Sequence, residues 1–565
     1  MLKNFVDDKR AKAAFWHVTA VVCTGIMLSV YCSAGVYFRA DDVLFHMARI
    51  EGIADGLRAG IFPVWINAFL LNGYGVPEGI MYPDTFLYPS ALLRLAGMPL
   101  SLVYNVYWIG LVLLGMLGSY YAYSRWLGGY GRGCLAAVLY NCCYYFLFVN
   151  GIFVGACAAM AAYPLTIFGV WSVLRGDSGR WYLAVLGMCV ICQSNLTGTL
   201  LVAVMVAAML ALFRDGLQDA DRRRALFLAC FFGVLLNLWR MVPVLDFYPR
   251  MLFHINDIEN YFNGYFASMS GVTFYWPELV HDGFLWGWPL TVLMLLFGVL
   301  RLGRWRESRG WYAVLFLCFL ITLGMWEGFP WPFFESLPVL GSVLPKFQFS
   351  MRFIHLGLVP LAYYLAKYIG EIAEKALWRQ WLLAGGCIAL SFWALYMSMF
   401  MQIHMKGIVG DMSSEHRLVE NISSTGVYTY QDYLYADIAF DELRNRQNEP
   451  RKGGREDIHT DAEILSFSKE SSRIRMAYNV AQDTVAELPL FFFHGYAGML
   501  EDGRDVTVGE TEEHVMTVFL PAGEHEVTVW FRGLWSYRIA GWLSLAGVAM
   551  FAICLYGEWR KGRCG

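Results

Sequence analysis

Long apolar runs recur through this 565-residue sequence and restrict what the chain can fold into. A run of about 20 apolar residues matches the hydrocarbon thickness of a bilayer and predicts a membrane-spanning helix. Twelve runs are predicted, the fifth and sixth being short: 15–36, 100–123, 133–150, 155–174, 181–195, 197–213, 225–243, 286–303, 311–327, 352–370, 380–401 and 534–556. Composition agrees, because 58% of residues are hydrophobic and only 16% are charged. We therefore predict a mostly α, polytopic transmembrane helical bundle.

The basic residues predict how this bundle is oriented. Lys and Arg are concentrated in alternate connecting segments, so the positive-inside rule places both termini in the cytoplasm. The first run lacks a small-residue cleavage site and is interpreted as a retained span instead of a signal peptide. Because the basic residues are dispersed, the formal charge of -3 gives no indication of nucleic-acid binding. Four segments are expected outside the cytoplasm: 37–99, 244–285, 328–351 and 402–533.

The last of these segments differs in pattern from the rest of the chain. From about residue 465 apolar and polar residues alternate, as in SRIRMAYNV and HVMTVFL, with turn signals such as EDGRD and PAGE between the runs. This pattern predicts an antiparallel β-sandwich. The segment contains no cysteine, so an ordinary core must stabilise it. The predicted organisation is a membrane module over 1–401, a β-rich domain over 402–533, and a last span with a cytoplasmic tail over 534–565.

Two adjacent aspartates, Asp41 and Asp42, follow the first run. A carboxylate at the membrane surface is costly to place there and is a candidate for function. From Asp42 onward, apolar residues recur at steps of four and three, which predicts an amphipathic helix lying on the bilayer surface. Asp42, His46 and Arg49 share another face of that helix. A set of solvated surface charges explains the same spacing equally well.

Glycine and proline predict where this helix stops. Gly56, Gly60 and Pro63 are expected to end it and to turn the chain toward Trp65, which is expected to anchor at the membrane interface.

Two other outer segments contribute candidate residues. The segment 244–285 mixes aromatic side chains with His254, Asp257 and Glu278, a combination that suits sugars, whose C–H faces stack on rings. An interfacial aromatic belt with solvated charges is an equal alternative. Arg352 follows KFQFSM at the mouth of the tenth run, where a guanidinium either binds a lipid phosphate or extends to the interface without a ligand.

Several motifs together resemble a known family. They include the acid pair with His46, a helix that ends in GIFPVW, then GYGVP and Tyr82-Pro83. KFQFSMRF is similar to a Q-F-P-W-R-F signature, with Ser and Met in place of Pro and Trp, and it contains Gln348 and Arg352. LPLFFFHGYAGMLEDGRDVTV and LPAGEHEVTVWF resemble the β-domain of the same family. On these motifs the chain resembles bacterial YfhO-type membrane proteins of the GT-C glycosyltransferase superfamily.

The resemblance implies a GT-C-like bundle in a bacterial cytoplasmic membrane, with its active site outside the cytoplasm. It implies an inverting transferase that moves a sugar from a polyprenyl-phosphate donor to an envelope glycan, a teichoic acid such as lipoteichoic acid, or a lipid. Such a reaction needs a carboxylate base and a cation. Asp41 or Asp42 is the expected base, and Arg352 and Gln348 are expected to bind the donor phosphate.

Further residues are expected to support the site or to bind the acceptor: His46, Arg49, Tyr82, His254, Asp257 and Glu278. No metal is required, although Asp41, Asp42 and His46 are an alternative set of ligands for Mg²⁺ or Mn²⁺. A non-catalytic lipid-linked polymer transporter or assembly protein is a competing class, but it has no use for a base in the first outer segment. Transfer to protein is another alternative.

Overall fold

The computed structural model describes residues 9–29, 37–38, 43–142, 154–250, 333, 336–338, 352–401, 408–409 and 453–564. Its helices are α1 (Lys9–Leu28), α2 (Val43–Arg58), α3 (Glu78–Met81), α4 (Tyr88–Leu95), α5 (Leu100–Leu127), α6 (Tyr130–Cys142), α7 (Val154–Arg175), α8 (Trp181–Cys192), α9 (Leu196–Leu212), α10 (Ala220–Leu235), α11 (Leu238–Phe247), α12 (Arg352–Ala373), α13 (Leu377–Met401) and α14 (Trp535–Cys564).

Four helices within these ranges are long and apolar enough to cross a membrane, which is consistent with a membrane protein. They are Lys9–Leu28, Leu100–Leu127, Cys157–Arg175 and Trp535–Glu558. The pair α10 and α11, bent by 60°, makes a fifth if it counts as one broken span. Each of these agrees with a predicted run. Twelve spans are not shown, and the predicted runs 286–303 and 311–327 lie outside the described residues.

Small residues allow neighbouring helices of the bundle to pack closely. A Cβ atom on Gly133 of α6 would overlap Ser124 of α5. A Cβ atom on Gly169 of α7 would overlap the backbone of Ala184 in α8. Because lipid tails are as apolar as leucine, close backbone packing of this kind is a main source of association between membrane helices.

Eight strands near the C-terminus form two antiparallel sheets, here called the β region (residues 453–531). They are β3 (Glu463–Glu470), β4 (Arg473–Val480), β5 (Thr484–Phe491), β6 (Tyr496–Leu500), β7 (Asp505–Val506), β8 (Val508–Glu510), β9 (Val515–Leu520) and β10 (Gly523–Phe531). One sheet has the order β3-β4-β10-β6-β7 and the other β5-β9-β8.

The two sheets of the β region share one hydrophobic core. Met476 and Val527 are paired neighbours in the larger sheet, Leu488 and Met516 in the smaller, and all four are fully buried. The buried positions of β4 alternate with less buried ones, as a strand with one core face requires. The alternating pattern in the sequence therefore predicted these strands correctly.

A short two-stranded sheet joins distant parts of the chain. Strand β1 (Tyr37–Phe38) pairs with β2 (Ile408–Val409) in antiparallel register. These strands bring the segment that precedes the acid pair next to the segment that follows α13.

The prediction that α2 lies on the bilayer surface is wrong, because the helix is enclosed by protein. Along nearly its whole length α2 is buried, and its polar residues His46 and Arg49 are only 1% and 2% exposed. A Cβ on Gly52 would overlap the Asn67 amide, and one on Gly56 would lie 2.6 Å from the Val64 side chain. The side chains of Val64 and Asn67 therefore pack directly on α2.

The predicted end of this helix needs a smaller correction. Gly56 lies inside α2, which ends at Arg58, and Gly60 follows it with a φ of 71°. Trp65 is buried, and its ring centre lies 6.2 Å from those of Trp239 and Tyr537, so it packs against protein; its position relative to the membrane stays a prediction.

A candidate site in a buried charge cluster

Five ionisable side chains come together where α2, the residues 78–84 and α11 meet. We call them the buried charge cluster: His46, Arg49, Glu78, Asp84 and Arg240. Each is at most 3% exposed. Charged side chains are almost never buried so completely unless they are paired or functional, so this cluster is the candidate site.

Arg49 projects from α2 into the turn after α3. Its Nη2 donates hydrogen bonds to the carbonyl oxygens of Tyr82 at 2.8 Å and Pro83 at 3.0 Å. The guanidinium carbon lies 4.4 Å from the centre of the Tyr82 ring and 5.5 Å from that of Phe45. Its Nη1 lies 3.2 Å from His46 Nδ1. Because Nη1 is always a donor, His46 Nδ1 must accept this hydrogen bond. The neutral imidazole therefore carries its proton on Nε2.

Arg240 enters the cluster from α11. Its Nη1 donates to the Gly79 carbonyl at 2.8 Å, and its Nη2 forms a buried ion pair with Asp84. The guanidinium also lies 4.8 Å and 5.4 Å from the ring centres of Trp239 and Trp65. These contacts fix the α3 turn against α11.

Asn67 joins the cluster to α2 and to the loop that follows it. Its Nδ2 donates to the Ala48 carbonyl at 3.2 Å, and its Oδ1 accepts from the Phe69 backbone N–H at 3.1 Å. Its side chain also hydrogen-bonds to Glu78. A side chain on Gly79 would overlap the Val64 carbonyl oxygen, so glycine permits this packing.

The electrostatics leave this cluster with an excess of positive charge. Burial raises the pKa of Glu78 to about 8, although Arg49 and Asn67 oppose the shift. Burial, reinforced by the charge of Arg49, holds the pKa of His46 well below its ordinary value. Both groups are therefore mainly neutral near pH 7. Burial also raises the pKa of Asp84, against the effect of Arg240 and Arg49. Two guanidinium groups thus face one paired carboxylate.

Three polar atoms of the cluster have no hydrogen-bond partner among the residues that the structure describes. They are His46 Nε2, Arg49 Nε and Glu78 Oε2. Buried polar atoms in native proteins are nearly always bonded, so each such atom requires an explanation. These atoms suit a ligand rich in oxygen, such as a phosphate ester or a sugar hydroxyl. The guanidinium and the imidazole each offer a hydrogen-bond donor, and the neutral carboxyl can donate or accept.

The structure brings together some of the residues predicted for the site. His46, Arg49 and Tyr82 are in contact around the Arg49 guanidinium. Asp41 and Asp42 lie outside the described residues and directly precede the first residue of α2. Gln348, His254, Asp257 and Glu278 also lie outside them, and of Arg352 only the backbone is described, as the first residue of α12.

Sequence reasoning missed four members of this site: Asn67, Glu78, Asp84 and Arg240. Arg240 lies within the predicted span 225–243, and a charge inside an apolar run is itself a signal for function. Glu78 and Asp84 lie in a loop rich in glycine and proline, where no periodicity indicates which side chains are buried.

Within the described parts of the chain, no group of three or more His, Cys, Asp or Glu side chains is arranged to hold a metal ion. The cluster's own chemistry, with two guanidinium groups and neutral His46 and Glu78, favours an anionic or hydroxylated organic ligand over a cation. No protein-family model and no curated protein matches this chain.

Proposed function

We propose that this chain is a membrane glycosyltransferase that moves a sugar from a polyprenyl-phosphate-linked donor to an acceptor in the cell envelope. The observation that carries the proposal is the buried charge cluster, two of whose members lie on α2, the helix that begins at the residue after Asp42. Because α2 holds His46 and Arg49 one and two turns beyond that acid, a carboxylate and a cationic group belong to the same short stretch. These are the two groups that the reaction needs.

In the proposed reaction, the carboxylate of Asp41 or Asp42 removes the proton from an acceptor hydroxyl. The acceptor oxygen attacks the anomeric carbon of the donor sugar, and the bond from that carbon to the phosphate oxygen breaks with inversion. The lipid phosphate leaves with the electron pair and a negative charge. Arg352 and Gln348 are proposed to bind this phosphate, and Arg49 is proposed to supply further positive potential.

The proposed setting is a bacterial cytoplasmic membrane, with the site and the β region outside the cytoplasm and both termini inside. The apolar helices support a membrane location. The alternation of basic connecting segments supports this orientation. The GT-C-like arrangement of about twelve spans, and the absence of a required metal, belong to the same proposal.

The test is sugar transfer by the purified full chain in lipid nanodiscs. Radiolabelled polyprenyl-phosphate sugars are supplied one at a time, with cell-envelope fractions as acceptors. The Asn variants of Asp41 and Asp42 are measured singly and together, with Asp55→Asn as the matched control, because Asp55 is a partly exposed carboxylate on the same helix α2. Loss of a general base typically lowers kcat by about 10² to 10⁴.

We expect one single variant and the double variant to lose transfer, and Asp55→Asn to keep it. Full activity in both single variants and in the double variant would remove the base from this segment. If the wild-type chain transfers sugar from no donor in nanodiscs, and in sealed liposomes moves labelled donor across the bilayer, it is a transporter and the proposed enzyme activity is refuted.

A further inference from the structure

The tip of the β3–β4 hairpin contacts the loop that follows α2. Lys469 of β3 donates from Nζ to the Gly73 carbonyl at 2.7 Å, to the Pro489 carbonyl at 2.7 Å and to the Gly453 carbonyl at 3.3 Å. One ammonium group thus joins three separate segments. At the other side of the hairpin, Arg473 Nη1 donates to the Ala59 carbonyl at 3.3 Å.

Backbone and apolar contacts extend this junction. The Phe491 backbone N–H donates to the Tyr74 carbonyl at 2.9 Å, and the two rings lie 5.5 Å apart. Ala68 of the loop packs in the hydrophobic core of the β region. Phe493 packs in the main core of the helical part and lies 6.3 Å from Phe247 of α11. The loop and the β region therefore share apolar cores as well as hydrogen bonds.

A short series of contacts leads from this junction to the buried charge cluster. Gly73 and Tyr74 lie in a loop closed by the backbone bridge between Asn67 and Val76, whose two N···O distances are 2.9 and 3.1 Å. Asn67 then hydrogen-bonds to Ala48 of α2 and to Glu78. A displacement of residues 67–76 would thus change the hydrogen bonds that enclose Glu78.

We propose that the β region holds the loop 67–76 in place through Lys469 and thereby keeps Glu78 and its neighbours shut off from water. Lys469 is thus a positioning residue, which acts on the cluster through the loop. The ammonium group of a lysine can donate to carbonyl oxygens in three directions. A guanidinium is planar, so an arginine would fit these three carbonyls less well. This arrangement does not depend on whether the chain transfers sugar.

The test uses the full chain in nanodiscs at pH 6. Burial lowers the pKa of Lys469 to about 7, with Asp457 opposing the shift, so the ammonium predominates at that pH. A water-soluble carbodiimide with glycine ethyl ester labels accessible carboxyl groups, and peptide mass spectrometry measures labelling of Glu78. Hydrogen exchange of residues 66–76 is measured in parallel.

We expect Lys469→Met to speed both the labelling of Glu78 and the hydrogen exchange of this loop by about tenfold to a hundredfold, because the charge-assisted hydrogen bonds of the ammonium are lost. Lys469→Arg should recover part of the protection. The matched control is Arg504→Met, since Arg504 forms its ion pair with Asp502 inside a turn of the β region. Exposed Glu512 should label equally in every protein.

If the Lys469 variant also loses hydrogen-exchange protection between β4 and β10, it has unfolded the β region. In that case Tyr74→Ala is the deciding variant, because it removes the ring contact with Phe491 and leaves the strands of the β region unchanged in sequence. Faster labelling of Glu78 in that variant, with β4–β10 protection intact, supports the proposal. Unchanged labelling of Glu78 in Tyr74→Ala, or in a folded Lys469→Met protein, overturns it.

Discussion

Glu78→Gln removes one ionisable proton from the buried charge cluster and leaves its shape almost unchanged. The Glu78 side chain is 3% exposed, and one of its oxygens has no hydrogen-bond partner among the described residues. Gln resembles the protonated carboxyl in size and can keep the contact with Asn67. The substitution therefore tests how costly the ionised carboxylate is at this position.

The sign of the effect follows from the raised pKa. Between about pH 4.5 and 8 the folded protein holds the Glu78 proton more tightly than the unfolded chain does. The stability that this group contributes is present below pH 4.5 and is lost as the pH rises through 8. A pKa difference from 4.5 to about 8 corresponds to about 5 kcal/mol at most, and structural relaxation and entering water reduce it.

Thermal unfolding of both proteins in nanodiscs, measured from pH 5 to pH 9, checks this expectation. The two proteins should unfold at similar temperatures at pH 5. The wild type should become less stable than Glu78→Gln as the pH rises, by a few kcal/mol at pH 9. Glu512→Gln, at an exposed position of the β region, controls for the loss of any glutamate and should follow the wild type at all pH values.

The reasoning about Glu78 would be refuted by parallel unfolding curves for the wild type and Glu78→Gln from pH 5 to pH 9. Lower stability of the Gln variant at pH 9 would refute it as well, because the carboxylate would then be stabilising. Difference infrared spectroscopy gives a second measurement: the carbonyl stretch of a protonated carboxyl near pH 7 should disappear in Glu78→Gln.

Three further predictions concern other parts of the chain. Arg352→Ala should raise the KM for donor about tenfold to a hundredfold, with partial recovery in Arg352→Lys; an unchanged KM in titrations of the Ala variant would contradict phosphate binding. The thiol of a Glu512→Cys variant should react with an impermeant thiol reagent in intact cells, whereas labelling only after lysis would reverse the proposed orientation. Asp84→Asn should cost about 3 to 5 kcal/mol of unfolding free energy because it leaves Arg240 buried and unpaired, whereas Asp55→Asn, at an exposed pair, should cost less than about 1 kcal/mol in the same denaturation assay.

Features that depend on local periodicity were predictable from the sequence alone. The run at 534–556 corresponds to the helix Trp535–Glu558, because about twenty apolar residues can satisfy their backbone only as a helix inside a bilayer. The strands β4 and β10 follow the two-residue alternation, because successive side chains of a strand point to opposite faces. His46 and Arg49 were predicted as candidates because they share a helical face.

The surroundings of those candidates depended on long-range packing. A stripe at steps of three and four indicates one apolar face of α2, but it does not indicate whether lipid, water or protein covers the opposite face. Here the side chains of Asn67 and Val64 cover it, because Gly52 and Gly56 allow them to approach closely.

The members of the buried charge cluster were selected by tertiary structure. Arg240 and Asp84 are 156 residues apart in the chain and form one buried ion pair. Lys469 and Gly73, 396 residues apart, meet where the β region contacts the loop. The sequence determined that the chain forms apolar helices followed by strands. Only the fold decided which charged groups are removed from water. This desolvation depends on every segment packed around a group, and it is the physical cause of the altered protonation of the cluster.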